Sequence, residues 1–184
     1  MNFFSPQNLQ NLVNPFIIAE MSGNHNQSLN RALNMVEEAA KAGANAIKLQ
    51  TYTADTMTLN IKKGEFCIKD KDNLWKGETL YSLYSKAYTP WDWHLPIFKK
   101  ASELGIIAFS TPFDISSVEF LESIGNPIYK ISSFENIHQP LLKRVAKTHK
   151  PIIISTGMAK LSELSETVDF VRFHGCKDLT LLKC

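Results

Sequence analysis

"SLNRALNMVEEAAKAGANAIKLQ", residues Ser28–Gln50, reads as a helix, a glycine and a strand in that order. Leu29, Ala32, Leu33, Val36 and Ala40 fall on one face of a helix. Ser28 is placed to cap its start and Gly43 to end it. "ANAIKLQ" follows as a short apolar strand. The phrase then returns along the chain. "WDWHLPIFKKASELG" closes on Gly105 and leads into "IIAFSTPF"; "SSVEFLESIG" closes on Gly125 and leads into "NPIYKISS". "QPLLKRVAKTHK" runs into "PIIISTG" without a glycine, and "KLSELSETVDFVRFHG" closes on Gly175 before "CKDLTLLKC". With "PFIIAE" ahead of them all, six strands alternate with helices. Continuous apolar strands in such alternation predict a parallel α/β sheet covered on both faces.

Two parallel architectures compete. A doubly wound nucleotide fold asks for a glycine-rich turn after the first strand. "AEMSGNHNQS" holds one glycine, Gly23, and no GxGxxG. A (β/α)8 barrel gathers its chemistry at the C-terminal strand ends. Strand one ends in Glu20, and strand two in Lys48 and Gln50. Strand three ends in Ser110 and Thr111, strand four in Lys130, Ser132, Ser133 and Glu135, and strand five in Ser155 and Thr156. Polar groups at five successive strand ends would converge on one barrel mouth, so the barrel is the expected fold.

Bulk properties narrow the function classes. The 184 residues suffice for one domain with a sizeable core, and no linker or low-complexity segment divides them. A net charge of +2 with scattered basic residues argues against nucleic acid and membrane partners. No run approaches the roughly 18 apolar residues of a membrane span. The opening "MNFFSPQNLQNLVN" lacks the pattern of a secretory signal. Cys67, Cys176 and Cys184, sparse and odd in number, fit a reducing cytoplasm, which is the expected location. The longer connection between strands two and three, roughly Thr51 to Pro90, is rich in aromatics and of the kind that forms binding loops.

At the strand ends, Lys48 and Lys130 would form a cationic floor, with Thr111, Ser133 and Ser155 as neutral donors. Point charges beside hydroxyls suit a phosphate or carboxylate. Glu20 and Glu135 supply carboxylates that orient hydroxyls, move protons or hold a metal-bound water. Asp114, after Pro112, reads as the cap of the next helix. His25 could be a metal ligand, a base or a loop-shaping residue, while His94, His138, His149 and His174 read as structural. An acid–base enzyme acting on a phosphorylated or carboxylated small molecule follows; the reaction does not.

"IIAEMSGNHNQSLNRALNMVEEAAKAGANAIKLQTY", "FSTPFD", "YKISSFEN" and "PIIISTGM" fall in the order that resembles the sialic acid synthase family, from about Phe16 to Cys184. "AEMSGNHNQS" and "LYSLYSKAYTPWDWH" look like its pseudaminic-acid-forming branch rather than the sialic or legionaminic ones. The resemblance implies a (β/α)8 barrel, of which residues 1–184 supply the N-terminal part and about six strands. It implies condensation of phosphoenolpyruvate with an N-acetylated amino sugar, here 2,4-diacetamido-2,4,6-trideoxy-L-altrose, with release of phosphate. By motif position Lys48, Thr111, Lys130, Ser133 and Ser155 would hold phosphoenolpyruvate, and Glu20 and Gln50 the sugar. Glu135 would orient water or transfer protons. A divalent metal, Mn2+ or Mg2+, would polarise the sugar aldehyde. Its histidine ligands, the remaining strands and a small antifreeze-like domain are expected beyond Cys184. On that reading the intact enzyme is a homodimer, and this chain alone is expected to hold no metal and to be inactive. A sialic or legionaminic acid synthase, a Schiff-base aldolase and a non-catalytic fragment are the rival expectations.

Overall fold

The computed structural model describes residues 14–183; the N-terminal stretch read above as no signal, and Cys184, lie outside them. Six strands form one sheet: β1 (Ile18–Glu20), β2 (Ala46–Thr51), β3 (Ile107–Pro112), β4 (Tyr129–Ile131), β5 (Ile152–Ser155) and β6 (Leu179–Leu182). Every neighbouring pair is parallel, and the spatial order is the chain order. A doubly wound sheet reverses its strand order at a switch point; this one never does. It is a half-barrel, as the strand ends predicted.

The helices are α1 (Leu29–Lys41), α2 (Ala54–Met57), α3 (Leu80–Ala87), α4 (His94–Glu103), α5 (Ile115–Ser123), α6 (Gln139–Ala146) and α7 (Leu161–Phe173). Ser28 accepts a hydrogen bond from the Arg31 amide, and the Asp114 carboxylate accepts from the Ser116 and Ser117 amides, so both expected caps form. The helix-ending glycines take the left-handed conformation, as at Gly105 (φ +74°) and Gly125 (φ +76°). Where the phrase lacks a glycine, His149 adopts φ +58° instead, and its Nδ1 lies 3.1 Å from the Gly175 carbonyl.

Two apolar clusters pack helices onto the outer face of the sheet. Ala32, Val36, Ile47, Leu49, Ile97 and Ala108 belong to one, and Leu121, Tyr129, Ile131, Leu142, Ile152 and Ile154 to the other. A third cluster, Ala46, Phe109, Ile128 and Ile153 with Phe16, Ile18 and Ile107, fills the inner face. The connection after β2 is folded: it holds α2, a 3₁₀ turn at Gly64–Phe66, an antiparallel bridge between Cys67 and Thr79, and α3.

Outside the barrel a buried polar chain crosses this packing. His94 Nδ1 donates to the Pro90 carbonyl at 3.3 Å, so Nε2 accepts from the Thr51 hydroxyl at 2.7 Å. Thr51 in turn meets Ser110 Oγ at 2.6 Å. Burial pushes the His94 ring from 6.5 down to about 4. The unfolded chain therefore takes up this proton as pH falls below 6.5, and the folded chain only near 4. The contribution is present above the upper value and is lost across that window, amounting to about 3 kcal/mol. Urea unfolding of His94→Asn, less stable at neutral pH, should show a loss between pH 7 and 4 that is smaller by about that amount. Equal losses in the two proteins would contradict the neutral, buried ring.

Candidate active site

Alternation decides which strand residues point into the half-barrel. Glu20 pairs with Lys48, Lys48 with Phe109, and Gln50 with Thr111. Residues Glu20, Lys48, Gln50, Phe109 and Thr111 thus share the inner face, opposite the helix-packed Leu49 and Thr51. Ser110 pairs with Tyr129 on the outer side, which brings Lys130 inward beside Thr111. Lys130 pairs with Ile153, and Ser155 follows two residues on. The lower rows of this face, Ile18, Ala46 and Ile107, are apolar, and the polar residues lie above them toward the C-terminal strand ends.

Lys48 and Lys130 are each only 6% exposed. A buried ammonium is costly unless anions or acceptors surround it. Glu20, largely exposed, reaches Lys48 with Oε1 3.4 Å from Nζ. Lys130 Nζ donates to Ser155 Oγ at 2.6 Å and to the Ile131 carbonyl at 2.8 Å. Between the two lysine-bearing strands sits Thr111, 1% exposed. Its Oγ1 has no hydrogen-bond partner among the described residues. A hydroxyl buried without a partner costs about 1–3 kcal/mol. That cost is recovered when a ligand atom with a lone pair occupies the face beside it.

The turn after β4 carries the other candidates. Ser132 donates its hydroxyl to Glu135 Oε2, and the Glu135 amide donates to the Ser132 carbonyl at 3.2 Å. Ser133 lies against Gly157, where an added Cβ would stand 2.6 Å from the Ser133 Cβ. Gly157 (φ +54°) is therefore required both by conformation and by this approach. Asn136, which closes the "YKISSFEN" stretch, is a positioning residue that sequence reading passed over. Its Nδ2 donates to the carbonyls of Ser155 (3.2 Å) and Thr156 (2.9 Å), and its own carbonyl accepts from Thr167 at 2.9 Å. One buried amide thus ties the Ser133–Glu135 turn to the end of β5. An asparagine one residue past a candidate acid was the available signal; its partners, on β5 and α7, are distant in sequence.

The loop after β1 resolves the open question of His25. The ring is buried, accepts from the Gln27 amide at Nδ1 (3.2 Å) and donates from Nε2 to Thr89 Oγ1 (3.1 Å). Burial holds it below the ordinary histidine value. Gln27 donates to the Lys86 and Tyr88 carbonyls at 2.9 and 2.6 Å, so this loop docks the end of α3 onto the barrel. His25 shapes the loop. Among the described residues, no three His, Cys, Asp or Glu side chains gather into a metal-binding group. The described residues therefore do not fit the divalent ion implied by the resemblance, and no step below is routed through one. No helix among the described residues is long and apolar enough to cross a membrane.

Comparison with known proteins places the family and the fold. The chain is 45% identical to a pseudaminic acid synthase of Helicobacter pylori over 92% of its own length and 49% of the relative's. A Campylobacter jejuni pseudaminic acid synthase is 46% identical over 92% of the chain and 49% of its own. An N,N'-diacetyllegionaminic acid synthase of Campylobacter jejuni is 37% identical over 91% of the chain and 50% of its own. The chain thus spans about half the length of the curated relatives it matches. Among solved structures, an N-acetylneuraminic acid synthetase of Leptospira borgpetersenii serovar Hardjo-bovis superposes with a TM-score of 0.76 at 31% identity, covering 92% of this chain and 53% of that one. A truncated 3-deoxy-D-arabino-heptulosonate 7-phosphate synthase of Thermotoga maritima, 11% identical with a TM-score of 0.61 over 90% of this chain and 49% of its own, shares the fold. The model of the NeuB family matches residues 35–184, and the chain belongs to that family.

Proposed function

We propose that the inner rim of this half-barrel binds phosphoenolpyruvate and, in the full-length protein, joins it to an N-acetylated amino sugar to make pseudaminic acid. The carrying observation is Thr111, a buried hydroxyl with no partner among the described residues, set between the strands of Lys48 and Lys130. Lys48 and Lys130 would meet the phosphate and carboxylate, with Thr111, Ser133 and Ser155 donating hydrogen bonds. Gln50 and Glu20 would contact the sugar. In the reaction, C3 of phosphoenolpyruvate gives its electron pair to the aldehyde carbon and the aldehyde oxygen takes a proton. Water adds at C2, and phosphate leaves as the keto group forms. Glu135, held by Ser132, is the carboxylate that would orient the water and accept its proton. The pseudaminic product is favoured over its relatives by 45–46% identity against 37%.

Thr111→Val separates this reading from a structural one. Removing an unsatisfied buried hydroxyl should leave stability unchanged or raise it by up to about 1 kcal/mol. Titration of phosphoenolpyruvate into the full-length protein should nevertheless show binding weakened by about 5–10-fold. Unchanged binding with raised stability would make Thr111 a packing defect rather than a ligand contact.

A further inference from the structure

The chain runs on past the polar rim of β2 and β3. Two residues beyond the register partners Gln50 and Thr111 come Tyr52 and Phe113, the first residues past the ends of β2 and β3. Their rings meet edge to face with centroids 5.4 Å apart. Tyr84 of α3 meets Tyr52 in the same way at 5.7 Å. An aromatic layer from the residues just past two strand ends and from the long connection therefore stands at the C-terminal ends of β2 and β3, the end of the sheet that carries Gln50 and Thr111.

Tyr52 is 4% exposed; its hydroxyl makes no hydrogen bond to a described residue and, unlike Thr111 Oγ1, is not sealed from solvent. The other buried tyrosine, Tyr129, donates to Glu122 at 2.7 Å. Ring packing alone would be served by phenylalanine, so what Tyr52 adds is a hydroxyl that is open to a ligand rather than held by the fold. Its main chain is fixed by Trp91 Nε1, which donates to the Tyr52 carbonyl at 3.3 Å. Burial, and then the neighbouring Tyr84, push the phenol up to about 12, which keeps it neutral and able to donate.

We propose that Tyr52 determines acceptor specificity: its hydroxyl donates to the carbonyl of a sugar acetamido group while the Tyr52, Phe113 and Tyr84 rings receive the acetyl methyl. One donor beside three rings matches the two ends of an acetamido group, a carbonyl oxygen and a methyl. The inference rests on the synthase reading above.

The test uses the full-length protein, phosphoenolpyruvate and 2,4-diacetamido-2,4,6-trideoxy-L-altrose, with melting temperature monitored. Tyr52→Phe should raise KM for the sugar about 10-fold and leave KM for phosphoenolpyruvate within about two-fold. Acceptor analogues with a hydroxyl replacing each acetamido group in turn add a second arm. One analogue should lose about 10-fold in the wild type and far less in Tyr52→Phe. Because that comparison is made within each protein, it holds even if the variant melts lower. Equal losses in both proteins, or an equal rise in both KM values, would overturn the inference. A wild type without sugar-dependent phosphate release would instead overturn the synthase reading. An active wild type with unchanged Tyr52→Phe kinetics would overturn this inference alone.

Discussion

Glu135→Gln in the full-length protein should lower turnover by roughly 10²–10⁴ while changing phosphoenolpyruvate affinity much less. The turn explains the selectivity. Ser132 donates to the Glu135 carboxylate, and the Glu135 amide closes back on the Ser132 carbonyl. A glutamine carbonyl can still accept the Ser132 hydroxyl, so the substitution keeps the shape of the turn. It removes the negative charge and with it the proposed capacity to take a proton from water at C2 of phosphoenolpyruvate. The candidate binding groups on β2, β3 and β5 are untouched, which is why KM should move little. Steady-state kinetics with both substrates varied would check this. Near-normal turnover would reduce Glu135 to a member of the turn.

Lys130→Met should act on binding first. Its ammonium is buried on the inner face and donates to Ser155, so its loss removes a charge and releases a second candidate ligand. One charge-assisted contact is worth about 1.5–3 kcal/mol. Phosphoenolpyruvate should therefore bind roughly 10–150-fold more weakly, as measured by calorimetric titration. Lys130→Arg should restore little, because a planar fork does not fit a pocket built around a point donor. Unchanged affinity in the methionine variant would remove Lys130 from the site.

Much of this arrangement could be read from the chain because it is local. The face of α1, its Ser28 cap and the left-handed glycines follow from neighbours in sequence. So does the appearance of Thr111 and Ser155 at strand ends, since a strand's polar terminus is visible as a run that changes character, whereas Lys48 and Lys130 lie within β2 and β4. What was not legible depends on register or on distant partners. The Asn136 clamp joins the β4 turn to the end of β5. His25 is ambiguous in the sequence because Thr89, which accepts its hydrogen bond, lies on the far side of the long connection. His149 takes a left-handed conformation that propensity assigns to glycine. Tyr52 carries no signal of its own in the sequence, since its contact with Phe113 arises only when β2 lies beside β3. The roles of the rim residues, unlike their positions, are tested by the variants above.

The most direct measurement is phosphate release by the full-length protein supplied with phosphoenolpyruvate, 2,4-diacetamido-2,4,6-trideoxy-L-altrose and Mn2+, with the product mass determined in the same reaction. The account predicts phosphate release that requires the sugar, one phosphate for each product formed. The product mass should equal sugar plus phosphoenolpyruvate plus water minus phosphoric acid. Phosphate release that does not depend on the sugar, or consumption of phosphoenolpyruvate without a product of that mass, would contradict it.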